Sequence, residues 1–425
     1  MISTISLSKT YHYLLAFCAL IIGVYSKLIL IGLLPLFILI LWGFKNGHFF
    51  FNLQKINIFW IILYCIYAAY SLFYWKPILS NQQFEFKLAW IIFPLLFSFE
   101  PKFQIKKQYV YYGFAAGILA TSIIGIIKAS LIVLQNGISI SNITSGNICI
   151  NHPTYFASGA ILLLMIILIE WKDGHLKKLP TYLIIATVIF LLIMILLSYS
   201  MASFLFMGLL SVIIWIWIFK LKKQSSWKRA LFFFSFPILM IFAIAQIKNV
   251  RDEFSNSLIA LNKYIKNPTA FIQSQKNEQN GDEIRLIMWT AAFQECLEHP
   301  MGVGPTQIGH NLSDRLFKFH QNELAKTSEL GEVQYNPHNQ FLQIALEVGI
   351  LSLIFFLFLI FQIIHFGKKN HSYILIGLVL LLSFQCLFES MLQRQTGIVT
   401  FTFFISYLVL FSTNQKRFSA LNQVK

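Results

Sequence analysis

The stretch Tyr335-Asn336-Pro337-His338-Asn339-Gln340-Phe341-Leu342-Gln343-Ile344-Ala345-Leu346-Glu347-Val348-Gly349-Ile350-Leu351-Ser352 decides how the chain is read. A long polar segment ends in it and a hydrophobic helix begins. Proline is favoured at the first turn of a helix, so Pro337 marks the start. His338 and Asn339 then project near the mouth of a membrane helix rather than from its middle. At about 100° per residue, Ala345, Gly349 and Ser352 fall on the His338 side of a continuous helix. Small residues on one face let a neighbouring backbone approach closely. Glu347 points to the opposite side, where a structural hydrogen bond is its expected role. By spacing alone, His338 reads as an interfacial capping histidine.

Outward from this stretch the chain is apolar. Of its 425 residues, 57% are hydrophobic and 12% charged, against about 25% charged in soluble domains. Apolar runs recur, each long enough to cross a hydrocarbon core about 30 Å thick. The sequence predicts an all-α polytopic membrane protein with twelve helices near 10–26, 28–44, 58–75, 84–99, 109–127, 154–171, 181–198, 202–219, 230–247, 341–366, 372–390 and 398–413. The run 11–26 lacks a small-residue cleavage site and a second run follows at once, so an uncleaved first helix is expected. Basic residues gather in alternate connections, among them Lys102, Lys106 and Lys107, then Lys177 and Lys178, then Lys368 and Lys369. That asymmetry predicts both termini inside. It also accounts for the net charge of +16 without invoking nucleic acid. The 43 phenylalanines are expected to face lipid or pack between helices. The five cysteines contain no C-x-x-C pair, and a Cys149–Cys296 bridge has little to support it.

This topology divides the chain into an N-terminal bundle (1–247), an extracytoplasmic loop between helices 9 and 10 (248–337), and C-terminal helices with a cytoplasmic tail (338–425). The loop holds 11 of the chain's 17 acidic residues. Residues 253–265 and 283–297 have helical periodicity. In the second of these, Ile284, Ile287, Met288 and Ala291 share one face, so that helix is expected to lie on the membrane surface until Glu295 interrupts the stripe. Pro300 and the Gly302-Val303-Gly304 turn end it. Loops of this length are usually functional.

The His338-Asn339 pair, a nine-residue gap, Gly349 and a small residue three later resemble the signature of the O-antigen ligase family. Ser352 departs from the glycine, threonine or valine usual there. The series Arg285, Trp289, Ala292, Pro300, Gly302-Val303-Gly304 resembles the segment that precedes the histidine in these proteins. Glu389-Ser-Met-Leu-Gln-Arg394-Gln395-Thr-Gly397 resembles the last helical hairpin of one branch. The likeness spans residues 280–412; the N-terminal half shares only hydropathy.

The resemblance implies a glycosyltransferase of the bacterial inner membrane, multi-pass, with its active site facing the periplasm. Its donor would be a glycan on an undecaprenyl diphosphate carrier and its acceptor lipid A core, or another glycan for a polymerase. Such a reaction needs a base for the acceptor hydroxyl. It also needs cations or oriented donors for the departing diphosphate. His338 is the candidate base, since an imidazole is largely neutral at about pH 7. Arg285 is the candidate diphosphate ligand, because a guanidinium forks onto two phosphate oxygens; alternatively it is a solvated arginine paired with Asp282 or Glu283. Asn339, Trp289, Arg394 and Lys128 are the expected substrate-binding residues. The family's second arginine is missing from Ser198-Tyr199-Ser200-Met201-Ala202-Ser203. Arg394 could replace it, or be a rim charge paired with Glu389, and Lys128 is a weaker substitute that could simply snorkel.

His152 opens the sixth helix on the same side, where capping is the expected role, and His310 is expected to be a solvated loop residue. No cluster has metal-ligand spacing and no Gly-rich phosphate loop is present, so neither metal nor cofactor is expected. A polymerase and a protein O-oligosaccharyltransferase are the other enzyme readings. A transporter is the reading from another class, disfavoured by the near absence of charge from helix centres and of a broken-helix pair at the midplane.

Overall fold

The computed structural model describes residues 4–73, 82–220, 248–274, 281–305, 307–322, 324–325 and 336–423. The expected helix at 230–247 lies outside them. Apolar runs become α1 (Thr4–Tyr25), α2 (Ile29–Lys45), α3 (Lys55–Phe73), α4 (Gln82–Lys87) and α5 (Ala89–Leu96). They continue as α6 (Lys107–Asn136), the short α7 (Ile140–Ile143), α8 (Pro153–Lys172), α9 (Thr181–Leu197) and α10 (Met201–Lys220). The segment between α10 and the C-terminal helices forms α11 (Lys248–Lys266), α12 (Pro268–Ser274), α13 (Gly281–Glu298) and α14 (Ile308–Lys318). The chain ends in α15 (Gln340–Val348), α16 (Ile350–Lys369), α17 (Tyr373–Gln385) and α18 (Gln395–Gln423). Among the described residues, six helical stretches are long and apolar enough to cross a membrane, one of them the α1–α2 pair, and α9, α17 and residues 201–211 are shorter apolar helices.

The longest packing interface runs between α1 and α6. Its closeness depends on glycine: a Cβ on Gly113 would lie 2.1 Å from the Ala16 carbonyl oxygen, and one on Gly117 2.4 Å from that of Leu20. Small residues spaced by four give this approach along one helix face. Thr121 then donates from Oγ1 to the Gly23 carbonyl at 2.8 Å.

At one end of the bundle, β1 (Phe49–Phe51) pairs antiparallel with β2 (Phe99–Pro101), Phe50 opposite Glu100. The C-terminal part of α18 is fastened to this ribbon. Arg417 pairs with Glu100 at 3.2 Å, and Asn414 Nδ2 donates to the Pro101 carbonyl. The opposite end carries His338.

Three expectations are corrected here. Residues 341–366 do not form one helix: Gly349, at φ +86°, separates α15 from α16, so Ser352 is not on a face continued from His338. Residues 84–99 are likewise split, into α4 and α5 at Leu88. The two breaks lie close together, because Lys87 Nζ meets both Glu347 carboxylate oxygens at 3.1 and 3.0 Å, each side chain 1% exposed. Charge is therefore present within an expected spanning helix, and Glu347 is ion-paired. The 20 residues of α16 rise about 30 Å, enough to cross by themselves from Gly349. The breaks thus sit towards the His338 end rather than at the midplane.

The third correction concerns α13. Of its stripe, Ile287, Met288 and Ala291 are buried in a second core, with Phe271, Leu312, Leu316, Ala345 and Leu346, and Ile284 packs partly buried against it. An amphipathic pattern reports a face that needs covering, and here protein covers it rather than lipid. Glu295 does not interrupt that packing, since it is 4% exposed and accepts from Arg315 Nε at 2.6 Å.

Candidate active site

Residues 336–340 run antiparallel to residues 386–392, and five contacts join them. The Gln340 N–H donates to the Cys386 carbonyl at 2.8 Å, and Asn339 Nδ2 to the Leu387 carbonyl at 3.1 Å. His338 Nδ1 meets Glu389 Oε2 at 3.4 Å. Ser390 Oγ donates to Asn336 Oδ1 at 3.2 Å, and the Leu392 N–H donates to Gln340 Oε1 at 2.6 Å. Asn336 Oδ1 also accepts the His338 N–H at 2.8 Å, which helps hold His338 at φ +45°. That backbone conformation is uncommon for a non-glycine residue and persists only when its surroundings impose it.

Asn339 is the N-cap of α15. Its Oδ1 accepts the Phe341 and Leu342 N–H groups at 3.0 and 3.1 Å, satisfying donors that a helix start leaves unpaired. Both ends of its amide are therefore bonded to backbone. The His338 side chain is 29% exposed, whereas that of Glu389 is 5% exposed beneath it.

Burial, the largest single influence on Glu389, opposes ionisation. The hydrogen bond from His338 and the charges of His338, His152 and Arg285 outweigh it and hold the carboxyl below its ordinary value. The same groups act on His152. Surrounding protein lowers its pKa most, Glu389 raises it, and Arg394, His338 and Arg285 lower it further. His152 itself is exposed to solvent. One imidazole, one carboxylate, two guanidiniums and a second imidazole thus share a single electrostatic neighbourhood.

Arg285 joins it from α13, half-buried, with Nη1 on Asp282 Oδ1 at 2.7 Å. The solvated-pair alternative is thus what its near contacts show, while its charge still reaches Glu389 and His152. Trp289, one turn later, sets its ring 6.5 Å from that of Phe388, and its buried Nε1 has no partner. Arg394 is exposed in the turn before α18. Glu389 pairs with His338 and not with Arg394. Lys128 is not brought to this cluster: it donates to the Gly146 carbonyl at 2.8 Å and acts on Cys149. Cys149 and Cys296 are both free and buried.

The turn that lacks the expected arginine is closed by neutral groups. Ser200 Oγ and Ser203 Oγ lie 2.9 Å apart, and Gln385 Nε2 donates to Ser203 Oγ at 3.1 Å. His310 is exposed within α14, one turn from Asp314.

His152 is the residue that sequence reading set aside. It occupies the N-cap position of α8 but makes no side-chain capping bond, so capping does not account for it. The signal was present: Asn151-His152-Pro153 opens a helix on the His338 side.

The segment between α13 and α14 is docked on the α15–α16 break. The Val303 N–H donates to the Leu346 carbonyl at 2.7 Å, and the Ile350 N–H to the Pro300 carbonyl at 2.9 Å. A Cβ on Gly302 would lie 2.6 Å from the Gly349 nitrogen. This contact fixes α13, with Arg285, against α15, which His338 precedes.

Residues 186–357 match the family model described as O-antigen ligase. The matched stretch takes in most of α9, then α10, α11 to α14 and His338, and stops short of Glu389–Gly397. It thereby establishes the likeness to the O-antigen ligase family, a group of membrane glycosyltransferases acting on lipid-linked glycans. No curated protein matches the chain.

Proposed function

We propose that this chain, an O-antigen ligase relative by residues 186–357, transfers a glycan from undecaprenyl diphosphate to lipid A core at the outer face of the bacterial inner membrane. The observation that supports this reading most is the contact of His338 with the buried Glu389 carboxylate just before α15, with the charges of Arg285 and His152 acting on that carboxylate and Arg394 acting on His152. His338 accepts the proton of the acceptor hydroxyl. As the acceptor oxygen bonds to the anomeric carbon, the bond from that carbon to the diphosphate oxygen breaks. The leaving group keeps the electron pair. Arg285 meets that charge by exchanging part of its Asp282 pairing for phosphate oxygens, and the exposed Arg394 supplies the second cation. Trp289, its ring near that of Phe388, supports the substrate-binding side of α13.

The test is the lipopolysaccharide profile of a deletion strain complemented with wild type or His338→Ala. A general base contributes about 10²–10⁴-fold, so the variant is expected to lose all long glycan on lipid A core while lipid-linked polymer accumulates. Core carrying a single repeat, without a ladder, would assign the chain to the polymerases. A wild-type profile from His338→Ala at normal protein level would remove His338 from the chemistry.

A further inference from the structure

Within that reading, which this inference depends on, the role of Glu389 is unassigned. We propose that Glu389 is the positioning residue of the imidazole. It accepts the Nδ1–H of His338 and so leaves the Nε2 lone pair facing the acceptor hydroxyl. When Nε2 takes the proton, the carboxylate stabilises the imidazolium that results.

Three observations carry this. The first is direction: Nδ1 meets Glu389 Oε2 at 3.4 Å, with the carboxylate almost fully covered and the imidazole partly open. The buried edge of the ring is thereby the Nδ1 edge. A neutral imidazole carries one proton, and a carboxylate acceptor on Nδ1 selects the tautomer with Nε2 unprotonated. The bond is long, and such bonds tighten as the imidazole becomes charged.

The second is rigidity. The Glu389 N–H donates to the Gln385 carbonyl at 2.9 Å, and its own carbonyl accepts the Met391 N–H at 2.9 Å. Across from it, Asn336 holds the His338 backbone and the next residue, Ser390. Both partners are thus fixed from their main chains, as an orienting pair requires.

The third is charge. Arg285 from α13 and His152 from the start of α8 act on Glu389, and Arg394, in the turn before α18, acts on His152. Asp282, the other nearby acid, is already bonded to Arg285. A protonated imidazole is stabilised by a carboxylate in contact with it. Glu389 supplies that contact.

The experiment compares wild type, Glu389→Gln, Glu389→Asp and His338→Ala in reconstituted transfer from lipid-linked glycan to rough lipopolysaccharide. For Glu389→Gln, kcat is expected to fall about 10²–10⁴-fold, the range for loss of the orienting acid, with KM for the donor within about twofold of wild type. The acid limb of the kcat profile moves to lower pH, because the charged imidazole has lost its partner. Glu389→Asp keeps the charge and is expected to retain part of the rate and the wild-type limb. If Glu389→Gln fails to accumulate, Glu389→Ala is read in its place, with the same fall in kcat and the same move of the acid limb expected.

A second readout needs no substrate. Diethylpyrocarbonate modifies the neutral ring, and the half-modification pH of the His338 peptide, read by mass spectrometry, is expected to fall in Glu389→Gln. Wild-type kcat in Glu389→Gln, or an unchanged half-modification pH, overturns the positioning role. Activity in His338→Ala would overturn the base itself, and the modification data separate that failure from this one.

Discussion

Lys87→Met is expected to destabilise the chain strongly, and Lys87→Met with Glu347→Gln much less. Glu347 is 1% exposed and accepts from Lys87 Nζ at both oxygens, from Gln343 Nε2 at 3.0 Å and from Gln393 Nε2 at 2.6 Å. Lys87 also lies 3.7 Å from the centroid of the Tyr67 ring. Removing one partner of a buried pair leaves an uncompensated charge and costs about 3–5 kcal/mol. Two amide donors remain on Glu347, which places the expected cost near the lower end. In the double variant the residue at 347 is neutral, the uncompensated charge is gone, and the cost falls to the scale of imperfect hydrogen bonds, about 1–2 kcal/mol. The coupling between the sites is then at least about 2 kcal/mol, well above the few tenths expected of independent sites. Apparent Tm in detergent, measured for wild type, both single variants and the double, reads this directly. Additive losses, or a Lys87→Met variant as stable as wild type, would refute the account of a buried ion pair holding α4 to α15. Because Gln393 precedes Arg394, the same variants should also lower transfer activity in proportion to the lost coupling.

Three further outcomes are expected. Arg285→Ala should abolish donor use, whereas Arg285→Lys keeps only part, because an ammonium lacks the fork; equal, near-normal transfer in both would return Arg285 to a simple Asp282 partner. Gly302→Ala should lower apparent Tm and transfer together, since φ is +86° and the added carbon meets the Gly349 nitrogen at 2.6 Å, a conformation that costs about 1–2 kcal/mol even without the clash; Gly309→Ala, with open space around it, is the control. Glu389 is held below its ordinary carboxyl value of 4.5, so the stability it contributes is present above that value and is lost as pH falls through the lower folded one; apparent Tm against pH should show this acid loss in wild type and a flatter course in Glu389→Gln.

Much of the fold was legible because long apolar runs admit few alternatives. Once the runs and the basic connections are marked, one end of the bundle must carry His338, Arg394 and His152. The hidden features have specific causes. Lys87 sits in a run otherwise apolar enough to read as a span, and its partner is 260 residues away, beyond any periodicity argument. The stripe on α13 signals a face to be covered but is silent on whether lipid or protein covers it. His152 was read as a cap because position predicts capping well; only the contacts show that its side chain caps nothing. Glu389 was weighed as a partner for Arg394, five residues on, and its pairing with His338 depends on two distant segments running antiparallel.

The break at Gly349 explains why a glycine was needed at two places far apart in the chain. In an unbroken helix the Ile350 N–H would donate to the Leu346 carbonyl, four residues back. Here that bond is open and both of its groups are used by the segment between α13 and α14: Ile350 donates to Pro300 and Leu346 accepts from Val303. Both groups of that opened bond are paired again, which offsets part of the cost that an interrupted helix would otherwise incur. The exchange demands that two backbones approach within touching distance. A Cβ on Gly302 meets the Gly349 nitrogen, and one on Gly349 lies 2.7 Å from the Met301 carbonyl oxygen, so neither strand tolerates a side chain. The loop is therefore joined to the helix that His338 opens by the helix's own opened hydrogen bond. The elements that carry Arg285 and His338 are thereby tied to each other, as the proposed base and diphosphate ligand on the two sides of one anomeric carbon would require.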